Sequence, residues 1–417
     1  MGDDNLSRNR QLASLADCLA IALAASLPWS TSTTSILGWI WLVVVLVSLD
    51  WAALVEAVRR PAGALPLALF LLGLVGMAWA NVSWVDRYYG FDSFEKLLAV
   101  PLLLAQFQRS SRGYQVLAAF LISATILLVV SWLAAFWILP PRPNKDIGVF
   151  VKDRITQGTE FALCLIFLLE LARQAWRQGK RMVALAACVL AGVFFLNIVF
   201  VTVSRTSLVT VPVLLLIFGA RNFRPRQLAV FILVVVTLGG LVAAMSPHLR
   251  QRVVQIPIEI ATFDAHGHDT SAGARIAFWR TSVEIMGSAP LLGHGTGSIN
   301  AEFSEVTGQP SNATNPHNQM LTVGIQLGII GVVVLIAMWI AHLRLFLTPG
   351  IAAGMGLAVV VENLVGALFN SQLFDFTQGW IYVVGVGVAG GVVLRRGSVV
   401  RDPTVPAETV EGPRGSG

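Results

Sequence analysis

The sequence predicts an all-α, polytopic integral membrane protein with about twelve transmembrane helices and one large loop outside the membrane. Three observations carry that expectation. Of 417 residues, 55% are hydrophobic and only 12% charged, against about 25% charged in a soluble domain. The mean hydropathy is +0.72, and apolar stretches approaching the roughly 20 residues that cross a bilayer recur along the chain. From 183 to 203, and again from 319 to 341, no charge interrupts them. A soluble protein built of buried helices would need charges on its outward faces.

Apolar segments lie at 12–28, 34–50, 63–80, 93–107, 115–138, 157–172, 183–203, 206–220, 228–246, 319–341, 350–370 and 376–394. Those at 93–107 and 206–220 are short for a span, and their ends need protection by protein or a tilt into the interface. Wherever backbone meets lipid it must be helical. The expected organisation is nine helices over 1–246, a loop domain over 247–316, helices ten to twelve over 317–396 and a disordered tail over 397–417. That tail is rich in Pro, Gly and charge. The first apolar segment reads as a retained helix, because its flank DDNLSRNRQ lacks a basic leader.

If twelve helices alternate, 18 of the 29 Lys and Arg fall on one side, among them Arg8, Arg59, Arg177, Arg344 and Arg395. Positive charge stays cytoplasmic, so both termini are expected in the cytoplasm and the long loop outside. The net charge of +6 is then a topology signal. Nucleic-acid binding would need basic residues gathered on one soluble face. Cys18, Cys164 and Cys188 fall in apolar segments, where buried thiols acting as small hydrophobes are expected rather than a disulfide or metal framework.

The loop at 81–92 holds Trp84, Tyr88, Tyr89 and Phe91, an aromatic belt at interface depth. Pro140, Pro141 and Pro143 restrict the loop at 139–155 and set Lys145, Lys152 and Arg154 at the membrane surface. The loop at 247–316 is too small for an independent core. Within it, 273–287 places Ile276, Phe278, Trp279, Val283 and Ile285/Met286 near helical spacing. This predicts amphipathic helices lying over the outer mouth of the bundle. In PLLGHGTGSI, 290–299, alternate glycines allow tight turns and close backbone approach. The strand and lysine that nucleotide phosphates require are missing there.

Three arginines stand at helix ends on the outer side: Arg154, Arg205 and Arg275. Arg205 lies within VTVSRTSLVT, so deep that it needs a polar partner or a wet cavity. A guanidinium fork matches phosphate. Alternatively, the side chain snorkels or pairs with a carboxylate such as Glu160. His317 and Asn318 follow in NATNPHNQM, where Asn312, Thr314 or Asn315 can cap a turn and Pro316 suits a helix start. An imidazole there can accept a proton near neutral pH, or it is an ordinary interfacial histidine. Asp264, His266, His268 and Asp269 form a DAHGHD run with divalent-ion ligands, although solvated loop chemistry is the commoner explanation. Glu362 and Asn363 interrupt the eleventh segment, either bonding across the bundle or marking an ion path.

Taken together, SRTSLV at 204–209, RIAFW at 275–279, PLLGHGTG at 290–297 and NPHNQMLTVGIQLGIIG at 315–331 resemble the bacterial O-antigen ligase and polymerase superfamily, the ligase branch more closely. The likeness runs from about 160 to 395. It implies a GT-C-like helical fold and an inner-membrane enzyme that moves a glycan from undecaprenyl pyrophosphate onto a lipid A–core sugar in the periplasm. It further implies membrane lipids around the chain, no nucleic acid, no cofactor and no metal. By motif, Arg205 and Arg275 would hold the pyrophosphate and His317 would be the key histidine. Arg154 and Asn318 join them as substrate-binding candidates, while His294 is not promoted. The alternatives are an O-antigen polymerase, a protein O-oligosaccharyltransferase or, in a different class, a membrane transporter.

Overall fold

The computed structural model describes residues 2–140, 146–245, 271–310 and 315–401. Among the described residues there are sixteen α-helices and no strand. In chain order they are α1 (Gly2–Ser26), α2 (Thr31–Ser48), α3 (Trp51–Arg59), α4 (Pro61–Gly76), α5 (Trp84–Glu95), α6 (Ala99–Arg109), α7 (Gly113–Ala135), α8 (Arg154–Arg177), α9 (Arg181–Asn197), α10 (Arg205–Asn222), α11 (Pro225–Met245), α12 (Ser271–Ser288), α13 (Ile299–Thr307), α14 (Gln319–Leu345), α15 (Ile351–Gly366) and α16 (Phe376–Arg401). A 3₁₀ turn at Lys96–Leu98 joins α5 to α6, and a π turn at Ile198–Thr202 ends α9.

Helix α2 shows how lipid replaces water as the solvent. Thr34, Gly38, Trp41 and Val45 recur at helical spacing and are buried against protein. The opposite face, Ile36, Ile40, Val43 and Val47, is exposed and just as apolar. In water that face would drive aggregation; in a bilayer it costs nothing. Among the described residues six helices are long and apolar enough to cross a membrane, namely α2, α7, α8, α9 with its π turn, α14 and α16. The number becomes seven if α3 and α4, bent by 88°, form one span. The protein is thus polytopic, but with fewer long spans than the twelve predicted. Part of the shortfall lies in helices too short for a span, such as α6 and α15, which other helices enclose. In α15, of 16 residues, every position from Ile351 to Asn363 is buried, and most of the 11 residues of α6 are buried too. Hydropathy does not separate a helix sheathed in protein from one that faces lipid.

Further corrections concern the loops and thiols. The predicted loop at 81–92 is mostly helix α5, capped by the Ser83 hydroxyl accepting from the Asp86 backbone N–H at 3.2 Å. Trp84, Tyr88 and Tyr89 are exposed as a belt requires, but Phe91 is buried against Phe70. Of the cysteines only Cys164 is buried; Cys18 and Cys188 lie on the outer surface of the bundle, where a small apolar residue suits lipid as well as protein. Lys145, the DAHGHD run, the capping candidates Asn312 and Thr314, and the tail beyond 401 lie outside the described residues.

The amphipathic helix predicted over 273–287 is α12. Ile285 forms a small separate core with Ile299, Phe303 and Ile325, and Phe278 and Met286 pack on it. Val283, counted in the predicted stripe, is exposed. This satellite core seats α12 and α13 on the first half of α14.

Helix α14 is broken. Gly328 has φ 60 and ψ −161, a conformation essentially restricted to glycine. The break leaves helical N–H and C=O groups without their usual partners, which inside a membrane must be satisfied by protein. The PLLGHGTG segment does so. Ile329 N–H donates to Pro290 O at 2.9 Å, while His294 N–H and Gly295 N–H donate to Ile325 O and Gln326 O at 2.8 and 2.9 Å. Such contact demands bare backbone: a Cβ on Gly293 would stand 2.6 Å from the 326–328 backbone, and one on Gly295 equally close to Ala80. Thr296 fixes the far end, donating its hydroxyl to Gly73 O at 2.6 Å. His294 staples the base of the loop, 3.0 Å from Ser288, from Ile285 O and from Glu302.

Gly328→Ala places a Cβ against Leu291 O in a conformation that costs a non-glycine residue about 1–3 kcal/mol. The variant is expected to melt several degrees lower in detergent, whereas Gly192→Ala, with open space around it, melts as the parent does.

Candidate functional site

Arg205 is the first residue of α10. The chain ahead of it turns sharply at Val203 (φ 8, ψ 76), and Ser204 caps the new helix by accepting from Ser207 N–H at 3.0 Å. A helix N-terminus carries partial positive charge and unpaired N–H groups. With a guanidinium beside it, that is a setting for an anion. Arg275, on α12, is held below the ordinary guanidinium range, first by burial and then by the charge of Arg205. The two cations are therefore close enough to repel. One helical turn beyond Arg275, and so on the same face, Phe278 meets the His317 ring edge-on with centroids 5.9 Å apart. Arg275 thus lies within electrostatic reach of Arg205, and the helix that carries it also carries the neighbour of the His317 ring.

The imidazole is held by a second group of residues. His317 has φ 54, unusual for a residue with a Cβ, and its N–H is bonded to Asn315 Oδ1 at 2.8 Å. That oxygen also accepts from the Ser371 hydroxyl at 2.7 Å. Asn370 donates through Nδ2 to the Asp375 carboxylate at 2.5 Å, which turns its Oδ1 toward Asn315 Nδ2, at 3.0 Å, and His317 Nδ1, at 3.1 Å. An amide oxygen only accepts, so Nδ1 carries the ring proton and the neutral imidazole presents Nε2 as its acceptor. The tautomer follows from the hydrogen-bond network. Lys96, from the turn between α5 and α6, secures the 370–375 loop by donating to Phe374 O at 2.9 Å and Asp375 O at 3.0 Å. Burial raises the Asp375 carboxyl to about 6, with the Lys96 ammonium opposing and Asp153 reinforcing the shift.

The remaining candidates take other places. Arg154, at the start of α8, pairs with Asp146 at 3.0 Å. Asn318 is the N-cap of α14, its Oδ1 accepting from Met320 and Leu321 N–H at 3.0 and 3.2 Å. Its Nδ2 donates to Leu368 O at 3.4 Å, so both ends of the amide serve the fold. Glu160 pairs with Lys152 at 3.5 Å rather than with Arg205. Glu362 accepts from Thr159 at 3.0 Å, a bond across the bundle between α15 and α8. Among the described residues no cluster of His, Cys, Asp or Glu is placed to hold a metal ion.

Asn370, Ser371, Asp375 and Lys96 were not among the residues singled out in the sequence. Asn370 to Asp375 form a short polar stretch between two apolar segments, which reads as an ordinary connection. The one available signal is a lysine at the edge of an apolar run, Lys96, with a carboxylate awaiting it elsewhere.

Residues 190–336 match a family model described as O-Antigen ligase. This is a superfamily-level match, placing that stretch with O-antigen ligases and polymerases, and it contains Arg205, Arg275 and His317. No curated protein matches the chain.

Asn370→Ala removes the acceptor at Nδ1. In ¹⁵N-histidine spectra, with His317→Gln identifying the signal, the parent is expected to show one Nδ1–H tautomer and the variant a mixture of both. A pure Nε2–H signal in the parent contradicts the assignment.

Proposed function

We propose that the protein is a glycosyltransferase that moves a glycan from an undecaprenyl-pyrophosphate donor onto a sugar of lipid A–core. The reaction takes place on the periplasmic face of the bacterial inner membrane, with both termini in the cytoplasm. What supports this reading is the pairing of Arg275 with the charge of Arg205, and a His317 ring that packs on Phe278 of the same helix and faces Asn370 through Nδ1, inside the stretch that matches the O-antigen ligase family model.

The chemistry follows from the geometry. Nε2 of His317 takes the proton of an acceptor hydroxyl as its oxygen attacks the anomeric carbon of the donor. The new carbon–oxygen bond forms while the bond to the pyrophosphate oxygen breaks, and direct displacement inverts that carbon. The electron pair leaves on the pyrophosphate, where Arg205, Arg275 and the α10 N-terminus stabilise growing negative charge. Two fixed cations that repel one another are relieved when a polyanion enters between them. No metal is needed for that stabilisation.

Reconstituted protein given lipid-linked glycan and rough lipopolysaccharide is expected to transfer glycan in EDTA. His317→Ala lowers the rate by about 10²–10⁴-fold and Arg205→Ala by about 10²–10³-fold; either variant working at the parent's rate defeats the reading. Product masses separate the neighbouring activities: lengthened lipid-linked chains mean a polymerase, and glycopeptides mean transfer to protein.

The pH profile carries a separate expectation. Below about 6 the Asp375 carboxyl is protonated and donates, which turns Asn370 to offer its oxygen to Asp375 and its NH₂ to His317. The ring then loses its Nδ1 acceptor, so transfer falls as pH drops through that value. Asp375→Asn mimics the protonated state, with transfer expected about 10- to 100-fold lower at pH 7.5, the usual scale for loss of an orienting partner.

A further inference from the structure

A second feature adjoins the histidine through Asn315, which accepts the His317 N–H and also lines a cavity. This cavity, of about 470 Å³, opens between α5, α13 and the start of α14, within the roughly 300–1,000 Å³ of small-molecule sites. Its floor is rigid and internally satisfied. Ser371 bonds Asn315 at 2.7 Å and Thr322 at 2.5 Å, and Gln326 Oε1 accepts from Gly297 N–H at 2.8 Å. Its walls are different. The side chains of Ser93 and Asn300 line it and make no hydrogen bond among the described residues. Asp86 gives one carboxylate oxygen to the Ser83 hydroxyl at 2.6 Å, and Asp375 gives one to Asn370 at 2.5 Å. Each leaves a second oxygen for an incoming donor. Tyr89, largely exposed, stands at the mouth.

The chemistry of this lining selects its ligand. Two carboxylates, an amide and a hydroxyl can bond several adjacent O–H groups at once, and an aromatic face at the entrance suits the C–H face of a ring. Among the described lining residues none is a cation, so the cavity repels phosphate rather than attracting it. Neither Arg205 nor Arg275 lines it, so the groups suited to pyrophosphate and those suited to neutral hydroxyls are separate sets of residues.

We infer that this cavity is a sugar subsite, taking one neutral pyranose ring of the glycans being joined, either at the donor's reducing end or at the acceptor. The substrate class rests on the transferase reading above, but occupancy of the cavity can be measured without turnover.

The test uses the full chain in nanodiscs with two variants. Ser93→Trp fills the cavity, and Asn300→Ala removes a surface amide that the fold does not use. Oligosaccharides freed by mild acid from the lipid-linked donor and from lipopolysaccharide serve as probes in ligand-observed NMR. Saturation transfer to one of them in the parent, weakened about tenfold or more by either variant, supports the subsite and names its source. Equal signals in parent and both variants, or no signal from either probe in the parent, overturn it. In transfer assays the same variants are expected to raise KM about tenfold for the matching substrate with the other KM within about twofold of the parent's. A fall in kcat alone would mean a merely structural role and also overturns the inference. Should the parent bind an oligosaccharide yet transfer nothing, the subsite stands and the transferase reading falls.

Discussion

Backbone pairing across the break at Gly328 is the constraint on which the rest of the structure depends. A helix interrupted inside a membrane exposes N–H and C=O groups that neither lipid nor distant water can satisfy. Here Pro290, His294 and Gly295 supply the missing partners, and the three glycines at 293, 295 and 297 permit the approach. Beside this ladder the satellite core of Ile285, Ile299, Phe303 and Ile325 seats α12 and α13 on α14. Arg275 and Phe278 ride on α12, so the placement of the cation and of the ring's neighbour follows from that core together with the main-chain pairing at the kink.

A second layer of order acts on the imidazole. The strained backbone of His317 is compensated by Asn315, and its tautomer is imposed by Asn370, itself turned by Asp375. Lys96 anchors that loop from another part of the chain. The imidazole thus sits at the near end of a polar relay whose far end is a carboxyl raised by burial to about 6. Of the orienting groups, Asn315 and Asp375 also line the adjoining cavity, so whatever fills it touches the residues that hold the histidine.

Much of this was legible beforehand. Composition and apolar periodicity were enough for the all-α membrane class, and depth alone marked Arg205 as a residue needing company. The helix number was not legible, because several apolar segments, α6 and α15 among them, fold as helices too short for a span. Gly328 was hidden as well: within GIQLGIIG it resembles the small residues of close helix packing, and its positive φ leaves no trace in composition. Asn370 and Asp375 escaped notice because short polar connections are expected between helices. Asn318, conspicuous beside His317, proved to be a cap whose amide is spent on the fold.

The stretch that matches the family model ends at 336, short of Asn370 and Asp375 and long after Lys96. A comparison confined to it registers Arg205, Arg275 and His317 and is blind to the residues that orient the imidazole. Two chains alike over that stretch can therefore diverge in how their histidine is protonated, and so in the acidity at which they work, through changes in loops that no motif records.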